Sequence, residues 1–158
     1  MKKRWMLAAV VAATAAGSFG ATSAGADGPT QANAIGKVRI DPNDPTVAYI
    51  DAEYRCHGEG ALWISVKQTA DRSKDVALAE EGSSEISAAW SMSHRNPVTC
   101  DGKTHVQTFV VDQVETSMFG VPRRPLVNGF GYVQFCLFDD NYPGDMAPYS
   151  DNGFMRVG

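Results

Sequence analysis

The feature that most constrains the fold is an alternating stretch from Thr46 to Cys56. Successive side chains of an extended chain point to opposite faces of a sheet, so alternation indicates a strand with one buried face. One face would carry Ala48, Ile50, Ala52, Tyr54 and Cys56. The other face would carry Val47, Tyr49, Asp51, Glu53 and Arg55. The stretch therefore predicts a core strand, and its final cysteine offers a covalent link to another strand.

The N-terminus has the three-part pattern of a secretory signal peptide. Basic residues 2–4 precede an apolar run from Trp5 to Gly17, and small residues follow up to Ala24-Gly25-Ala26, an Ala-x-Ala cleavage site. The apolar run is shorter than the roughly 20 residues that cross a bilayer. We therefore predict a signal peptide over residues 1–26, and a secreted, extracellular chain that starts at Asp27 and does not insert into membranes after cleavage.

The charge of the mature chain excludes some classes of partner. Residues 1–26 contain three basic residues and no acidic ones, so their removal leaves 11 Lys and Arg against 18 Asp and Glu. An acidic chain without a basic stripe is unsuited to nucleic acids and anionic membranes, which require clustered Lys and Arg. The remaining length suits one domain.

The rest of the chain reads as short strands separated by turns. Residues 27–36 are small and polar and predict a flexible N-terminal arm, which leaves a single domain over 37–158. Two hairpins are expected, one through the glycine loop 57–60 and one through Asp101-Gly102. The further strands are expected at 38–40, 61–68, 84–90, 98–100, 103–112, 129–138 and 153–157, with 129–138 central and long loops at 120–128 and 139–151.

Such a series of about seven strands predicts an all-β fold. Strands at intervals of roughly 10 residues, without a long helix, are typical of an immunoglobulin-like antiparallel β-sandwich. A small open barrel is the alternative, because periodicity does not fix the order of the strands.

The three cysteines allow one intrachain bridge, which oxidising conditions outside the cell would favour. Antibody-type domains join the second strand to the penultimate one, which here would pair Cys56 with Cys136. Against this, Val133 and Leu137 would face inward on the late strand, so Cys136 would face outward. The residues alone leave the pairing open between Cys136 and Cys100 as the partner of Cys56.

Three segments carry a resemblance to a known family: Tyr54-Arg55-Cys56-His57-Gly58, Val98-Thr99-Cys100-Asp101-Gly102-Lys103-Thr104-His105, and Gly129-Phe130-Gly131. With the strand that ends at Gln68, they resemble small secreted immunoglobulin-like proteins from high-GC Gram-positive bacteria. The resemblance covers about Val38 to Phe138. It implies a bridge between Cys56 and Cys100, with Cys136 as an additional free thiol, and it implies no activity.

The sequence contains none of the common catalytic signatures. A Gly-x-Ser-x-Gly elbow, a His-Glu-x-x-His helix, a phosphate-binding glycine loop and a Cys-x-x-Cys pair are all missing. The histidines, His57, His94 and His105, lack the spacing of metal ligands. We therefore predict no catalytic residues and no cofactor.

The best metal candidate is a calcium site formed by Asp139, Asn141 and Asp145. Oxygen ligands at alternate positions followed by a glycine resemble the opening of a calcium loop. Pro143 and Ser150 stand where two further ligands would be needed, so a solvated turn is the preferred interpretation.

Aromatic residues offer a different candidate. If Leu62, Ile64 and Val66 face the core, Trp63 lies on the opposite side of its strand, where an exposed Trp63 beside Tyr49 would form a binding patch for a protein or a sugar. The alternative is that the long loops cover Trp63.

Three classes of function remain. The preferred one is a secreted noncatalytic domain that binds an extracellular or cell-envelope protein or glycan. The second is a secreted hydrolase, which would show a cleft with a perturbed acid or base, or an enzyme inhibitor with a protruding loop such as 120–128. The third is a carrier that holds a small apolar ligand between its sheets.

Expression of the full chain in a Gram-positive host should release a product that begins at Asp27, because signal peptidase cleaves after an Ala-x-Ala site. N-terminal sequencing of the secreted protein measures this directly. The variant Ala26→Leu should remain uncleaved in the membrane fraction. Recovery of a released wild-type chain that still carries residues 1–26 would contradict the prediction.

Overall fold

The structure is a computed structural model, and it describes residues 28–58, 60–80, 83, 86–95, 98–112, 124–139 and 149–158. The predicted signal peptide lies outside these residues. The described chain is all-β, as predicted, with one turn of 3-10 helix at Val76–Ala79. The strands are β1 (Gln31–Ile40), β2 (Ala48–Arg55), β3 (Gly60–Gln68), β4 (Ala89–Arg95), β5 (His105–Val111), β6 (Gly129–Asp139) and β7 (Tyr149–Val157).

The seven strands form a barrel-like sandwich in the order β4-β3-β6-β7-β1-β2-β5. A three-stranded layer contains β1, β2 and β5, and a four-stranded layer contains β4, β3, β6 and β7. All neighbours are antiparallel except β1 and β7, which run parallel where Val38 pairs with Val157. No helix in the described ranges is long and apolar enough to cross a membrane.

β1 connects the two layers. Its residues 31–35 pair with β2, the register then shifts before Arg39, and Val38 reaches the other layer. Gly36 lies at the shift with a φ of 75°, a left-handed conformation that glycine adopts without steric penalty. This irregularity explains why the sandwich contains one parallel pair among antiparallel ones.

The core between the layers confirms the predicted alternation of β2. Its even-numbered residues are buried, as are Leu62, Ile64 and Val66 on β3. The centre is aromatic, with ring centroids 6.1 Å apart for Tyr54 and Phe109 and 6.5 Å apart for Tyr54 and Phe135. Burial of this apolar surface is the main source of stability.

The disulfide joins Cys56 to Cys100, as the resemblance implied. It connects the end of β2 to the segment before β5, and the backbone N–H of Gly102 donates to the carbonyl of Cys56 over 2.9 Å. Cys136 is a free thiol and is half-buried on the outside of β6. The inward positions of β6 are residues 133, 135 and 137, which agrees with the predicted outward position of Cys136.

Both predicted hairpins are wrong. β2 pairs with β1 and β5, whereas β3 pairs with β4 and β6, so the glycine loop crosses from one layer to the other. Residues 98–100 are not a strand, and the turn at Asp101-Gly102 is anchored to the end of β2 by the disulfide and by the isolated bridge between His57 and Asp101. Turn residues mark where a chain reverses, but they do not identify the partner strand.

Several strand boundaries also differ from the prediction. β1 begins at Gln31, so the second half of the predicted flexible arm pairs with β2, and Ala32 and Ala34 pack against the core. The edge strand β4 is Ala89–Arg95 and not 84–90, and β7 begins at Tyr149, within the predicted loop 139–151. Small and polar residues have a weak strand propensity, so the sequence alone does not predict these strand positions. Pairing with neighbouring strands outweighs that weak propensity here.

Gly60 allows the chain to pass the disulfide, and replacing it should be destabilising. A Cβ at this position would lie 2.0 Å from Sγ of Cys100, so Gly60→Ala should lower the free energy of unfolding by about 1–3 kcal/mol. Urea denaturation measures the change. In a Cys56→Ala/Cys100→Ala background, where the sulfur is removed, Gly60→Ala should lower the free energy of unfolding by less.

Gly153→Ala provides the matched control. This glycine also lies in a strand, but a Cβ there would have no atom within 4 Å, so the substitution should be neutral or slightly stabilising. Equal losses for Gly60→Ala and Gly153→Ala would contradict the steric explanation.

Candidate functional site

Nine side chains on the outer side of the four-stranded layer form one contiguous group, which we call the outer-face cluster. Because Leu62, Ile64 and Val66 occupy the core, the alternate residues of β3 face outward, and strand register sets their neighbours on β4 and β6. The cluster has three rows: Trp90, Lys67 and Tyr132 (the covered row); Met92, Ser65 and Gln134 (the middle row); His94, Trp63 and Cys136 (the open row).

The covered row lies beneath the segment that carries the 3-10 turn. The Lys67 ammonium donates to Ser83 Oγ over 2.8 Å and to the carbonyl of Leu78 over 3.4 Å. It also lies 4.6 Å from the centre of the Trp90 ring, a cation–π contact. Leu78 and Lys67 are both buried, and the Lys67 hydrogen bond to the Leu78 carbonyl holds the turn against this end of the sheet.

Burial sets the ionisation of this region. It lowers the pKa of Lys67 to about 8, an effect that the nearby Cys136 partly opposes. Burial also raises the pKa of the Cys136 thiol, with Lys67 acting in the opposite direction, and raises the pKa of Tyr132. At neutral pH the thiol is therefore protonated, which makes it a weak nucleophile.

The middle row contains polar atoms that are shielded from solvent. Ser65 is fully buried, and neither its hydroxyl nor the Gln134 carboxamide oxygen has a hydrogen-bond partner within the described part of the chain. The two residues are direct partners across β3 and β6. A buried polar atom without a partner costs about 1–3 kcal/mol, so the middle row is a locally destabilising part of this layer.

The open row presents aromatic surface to solvent. Trp63 is half-buried, His94 is exposed, and their ring centroids are 6.3 Å apart. The cluster thus changes from a covered end at Lys67 to an accessible end at Trp63, with the unpaired polar atoms between them.

The predicted patch of Tyr49 and Trp63 does not exist as one surface. Tyr49 lies on the outer side of the three-stranded layer, where its hydroxyl donates to Asp41 over 2.6 Å. Trp63 lies on the outer side of the other layer. The prediction was wrong because it treated β2 and β3 as a hairpin, whereas their outer faces point away from each other.

The predicted calcium site is only partly described, because Asn141 and Asp145 lie outside the described residues. Asp139, at the end of β6, is buried, and its Oδ2 accepts from Thr30 Oγ1 over 2.5 Å and from the backbone N–H of His57 over 3.2 Å. These contacts attach the start of the described chain to the sandwich.

The histidines lie apart from one another. His57 Nε2 is 3.0 Å from the carbonyl of Gly28, and His105 Nε2 is 2.7 Å from Asp101 Oδ1, while His94 contacts Trp63. In the described part of the chain, no group of three or more His, Cys, Asp or Glu is arranged to hold a metal ion.

The opposite outer face carries a polar network centred on Asp51. Its carboxylate pairs with Arg39 and accepts from Thr108 Oγ1 over 2.5 Å, and these contacts lower the pKa of Asp51 to about 2. Arg39 and Thr108 satisfy the hydrogen-bonding capacity of the Asp51 carboxylate, which is typical of a solvated sheet surface.

Comparison with known proteins adds no assignment. The chain matches no protein-family model, and no curated protein has a similar sequence.

Sequence reasoning identified Trp63 but missed Ser65, Lys67 and Gln134. The alternation of β3 placed Ser65 and Lys67 on the same side as Trp63, which was a usable signal. Their burial was not predictable, because it requires the register of β6 and the packing of the 3-10 turn.

The buried Lys67 should make stability depend on pH. Its pKa is about 8 in the folded state, against 10.5 in the reference state. Below pH 8 the folded protein therefore holds a buried charge, which lowers its free energy of unfolding. Between pH 8 and pH 10.5 Lys67 keeps its proton in the unfolded state but loses it in the folded state. The free energy of unfolding therefore rises with pH by up to about 1.4 kcal/mol per pH unit.

The variant Lys67→Met lacks this ionisable group and therefore lacks its contribution to the pH dependence of stability. Its free energy of unfolding relative to wild type should therefore be most favourable below pH 8 and should decline as the pH rises toward 10. Urea denaturation from pH 7 to 10 measures the difference, and Lys103→Met, at a side chain that is 75% exposed, controls for the loss of one positive charge. A difference that does not change with pH would contradict the prediction.

Proposed function

We propose that the chain is a secreted, noncatalytic binding domain and that the outer-face cluster is its binding surface. The observation that carries the proposal is the open row, where the half-buried Trp63 lies beside the exposed His94 with ring centroids 6.3 Å apart. Binding sites commonly combine aromatic surface with a few convergent polar groups.

The rigid sandwich supports this interpretation. The cluster is built from three adjacent strands, so its side chains are held by backbone hydrogen bonds and by the packed core beneath them. A preorganised surface loses little conformational entropy on binding. The proposal includes export, for which the predicted signal peptide and the disulfide are the supporting features.

A carrier function between the sheets receives less support. The region between the layers is occupied by large side chains, including Tyr54, Phe109 and Phe135, whose ring centroids lie 6.1–6.5 Å apart. The outer face presents the half-buried Trp63 to solvent, so we propose it as the ligand site.

A hydrolase is the second candidate, and one observation favours it. Lys67 has a lowered pKa, and its ammonium is 2.8 Å from Ser83 Oγ, an arrangement that Ser-Lys hydrolases use. However, Ser83 is only 5% exposed, and below pH 8 Lys67 is protonated and donates to the hydroxyl, so it does not act as a base. A fluorophosphonate probe that labels wild type but not Ser83→Ala would favour catalysis.

The binding function is tested by retention on the immobilised mature chain. Culture supernatant and solubilised cell envelope of a high-GC Gram-positive bacterium are passed over wild type, Trp63→Ala and Gln134→Leu. We expect wild type to retain material that both variants lose, because the substitutions remove the aromatic surface and the partly exposed amide side chain in the neighbouring row.

Tyr49→Ala is the matched control, since it removes an aromatic side chain from the opposite face and should retain the same material. Urea denaturation establishes that each variant is folded. Retention that is equal for wild type and the two cluster variants would contradict the proposal.

A further inference from the structure

We propose that a second ligand site lies around Phe130, where Arg72, Lys74 and Arg156 bind a phosphate group. Phe130 follows Tyr132 and Gln134 along the outer side of β6, so the site lies beyond the covered row of the outer-face cluster. It is separate from the binding surface proposed above and does not depend on it.

Two cations contact the half-buried ring of Phe130. Nζ of Lys74 is 4.5 Å from the ring centre, and Cζ of Arg156 is 4.2 Å from it, within the range of a cation–π contact. Arg156 is the direct partner of Phe130 across β6 and β7, whereas Lys74 reaches the ring from the segment before the 3-10 turn. The ring therefore holds two like charges less than about 9 Å apart, where they repel each other.

These cations have no acidic partner within the described residues. Arg72, Lys74 and Arg156 are all exposed. The acidic neighbours in sequence, Asp71 and Asp75, each accept a hydrogen bond from the backbone N–H two residues ahead, over 3.2 Å and 3.0 Å. An anionic ligand supplies the counter-charge. The ion pairs of the described chain are formed elsewhere, by Arg39–Asp51, Lys103–Asp101 and His105–Asp101.

Arg72 is held in a strained backbone conformation. Its φ is 60°, and within the described ranges it is the one residue other than glycine with a positive φ. Its carbonyl accepts from the N–H of Phe130 over 3.1 Å, which fixes the turn against β6. A Cβ added to Gly129 would lie 2.6 Å from Cβ of Arg72, so the arginine side chain begins directly beside this end of β6.

The residue type at this position is informative. Glycine adopts a left-handed conformation without a steric penalty, whereas an arginine there reduces stability. Backbone strain of this kind concentrates at functional sites. The presence of Arg72, where glycine would fit better, indicates that its side chain is used.

A phosphate group suits these donors better than a carboxylate. A guanidinium that lies on an aromatic ring keeps the N–H groups along its edge available for an anion, and a lysine ammonium donates in several directions. A phosphate ester has more acceptor oxygens than a carboxylate, so it can contact several cations together, whereas one arginine satisfies a carboxylate. Phe130 adds apolar surface for the group that carries the phosphate.

The site is assembled by folding. Its cations come from the segment after β3 and from β7, so the sequence shows no basic stripe, and the mature chain is acidic, with 11 Lys and Arg against 18 Asp and Glu. The positive potential is therefore local, and binding should weaken as the ionic strength rises.

NMR titration of the isotope-labelled mature chain at low ionic strength tests the site, with inorganic phosphate and linear polyphosphate as probes. Saturable shifts should centre on residues 72–74, Phe130 and Arg156. Lys74→Gln and Arg156→Gln should each weaken binding by roughly fivefold or more. Lys103→Gln, which also removes one positive charge from an exposed position, should leave binding unchanged.

Arg72→Gly separates binding from stability. Because glycine relieves the strained conformation, the urea midpoint of this variant should equal or exceed that of wild type, while its affinity for polyphosphate should fall. Wild-type affinity in Arg72→Gly would contradict the assignment of Arg72 to the site.

Vesicles of phosphatidylcholine, with or without phosphatidylglycerol, identify the source of the phosphate. Co-sedimentation that requires both phosphatidylglycerol and Arg156 supports the site and assigns it to a lipid headgroup. Binding of polyphosphate without co-sedimentation supports it and assigns it to a soluble phosphate.

Three outcomes overturn the proposal. Polyglutamate that binds more tightly than polyphosphate replaces the phosphate by carboxylates. Equal binding by wild type and Arg156→Gln, or the absence of shifts around Phe130 with every probe, removes the site. The outer-face cluster is unaffected by each of these results, because its own test depends on Trp63.

Discussion

The contact between Tyr54, Phe109 and Phe135 joins the two layers of the sandwich, and the rest of the structure depends on it. Tyr54 and Phe109 come from the three-stranded layer and Phe135 from the other, with ring centroids 6.1–6.5 Å apart. Aromatic side chains bury large apolar areas, so their packing fixes which face of each strand points inward. The disulfide at Cys56 closes one end of this core, and Gly60 allows a strand to pass its sulfur atoms.

The inward set determines the outward set, because side chains alternate along a strand. Once Phe135 and the odd-numbered residues of β6 fill the core, Gln134 and Cys136 must lie on the outer face. The register between β3 and β6 then places Gln134 beside Ser65. The outer-face cluster is therefore a consequence of core packing, and a one-residue slip in register would disperse it.

The cluster contains features that reduce stability. Lys67 is buried with a lowered pKa, and two polar atoms in the middle row are unpaired. A folded domain has a small margin of stability, so such features persist where the remaining structure is strong enough to hold them. Buried polar atoms without a partner also occur away from this face, on Arg55 and Ser93, so the reason to propose a function for this face is that it carries both the buried Lys67 and the half-buried Trp63. The Arg39–Asp51 network on the opposite face satisfies its own charges.

The sequence by itself determined the all-β class, the buried faces of β2, β3 and β6 and the outward position of Cys136, because these follow from alternation, a local property of the chain. Prediction of the disulfide between Cys56 and Cys100 also required the resemblance to a known family. Only the tertiary structure decided which strands are neighbours, that Tyr49 and Trp63 lie on opposite faces, and that Ser65 and Lys67 are buried. These properties arise from contacts between residues distant in sequence, and local patterns such as Gly-rich turns do not specify the partner of a strand.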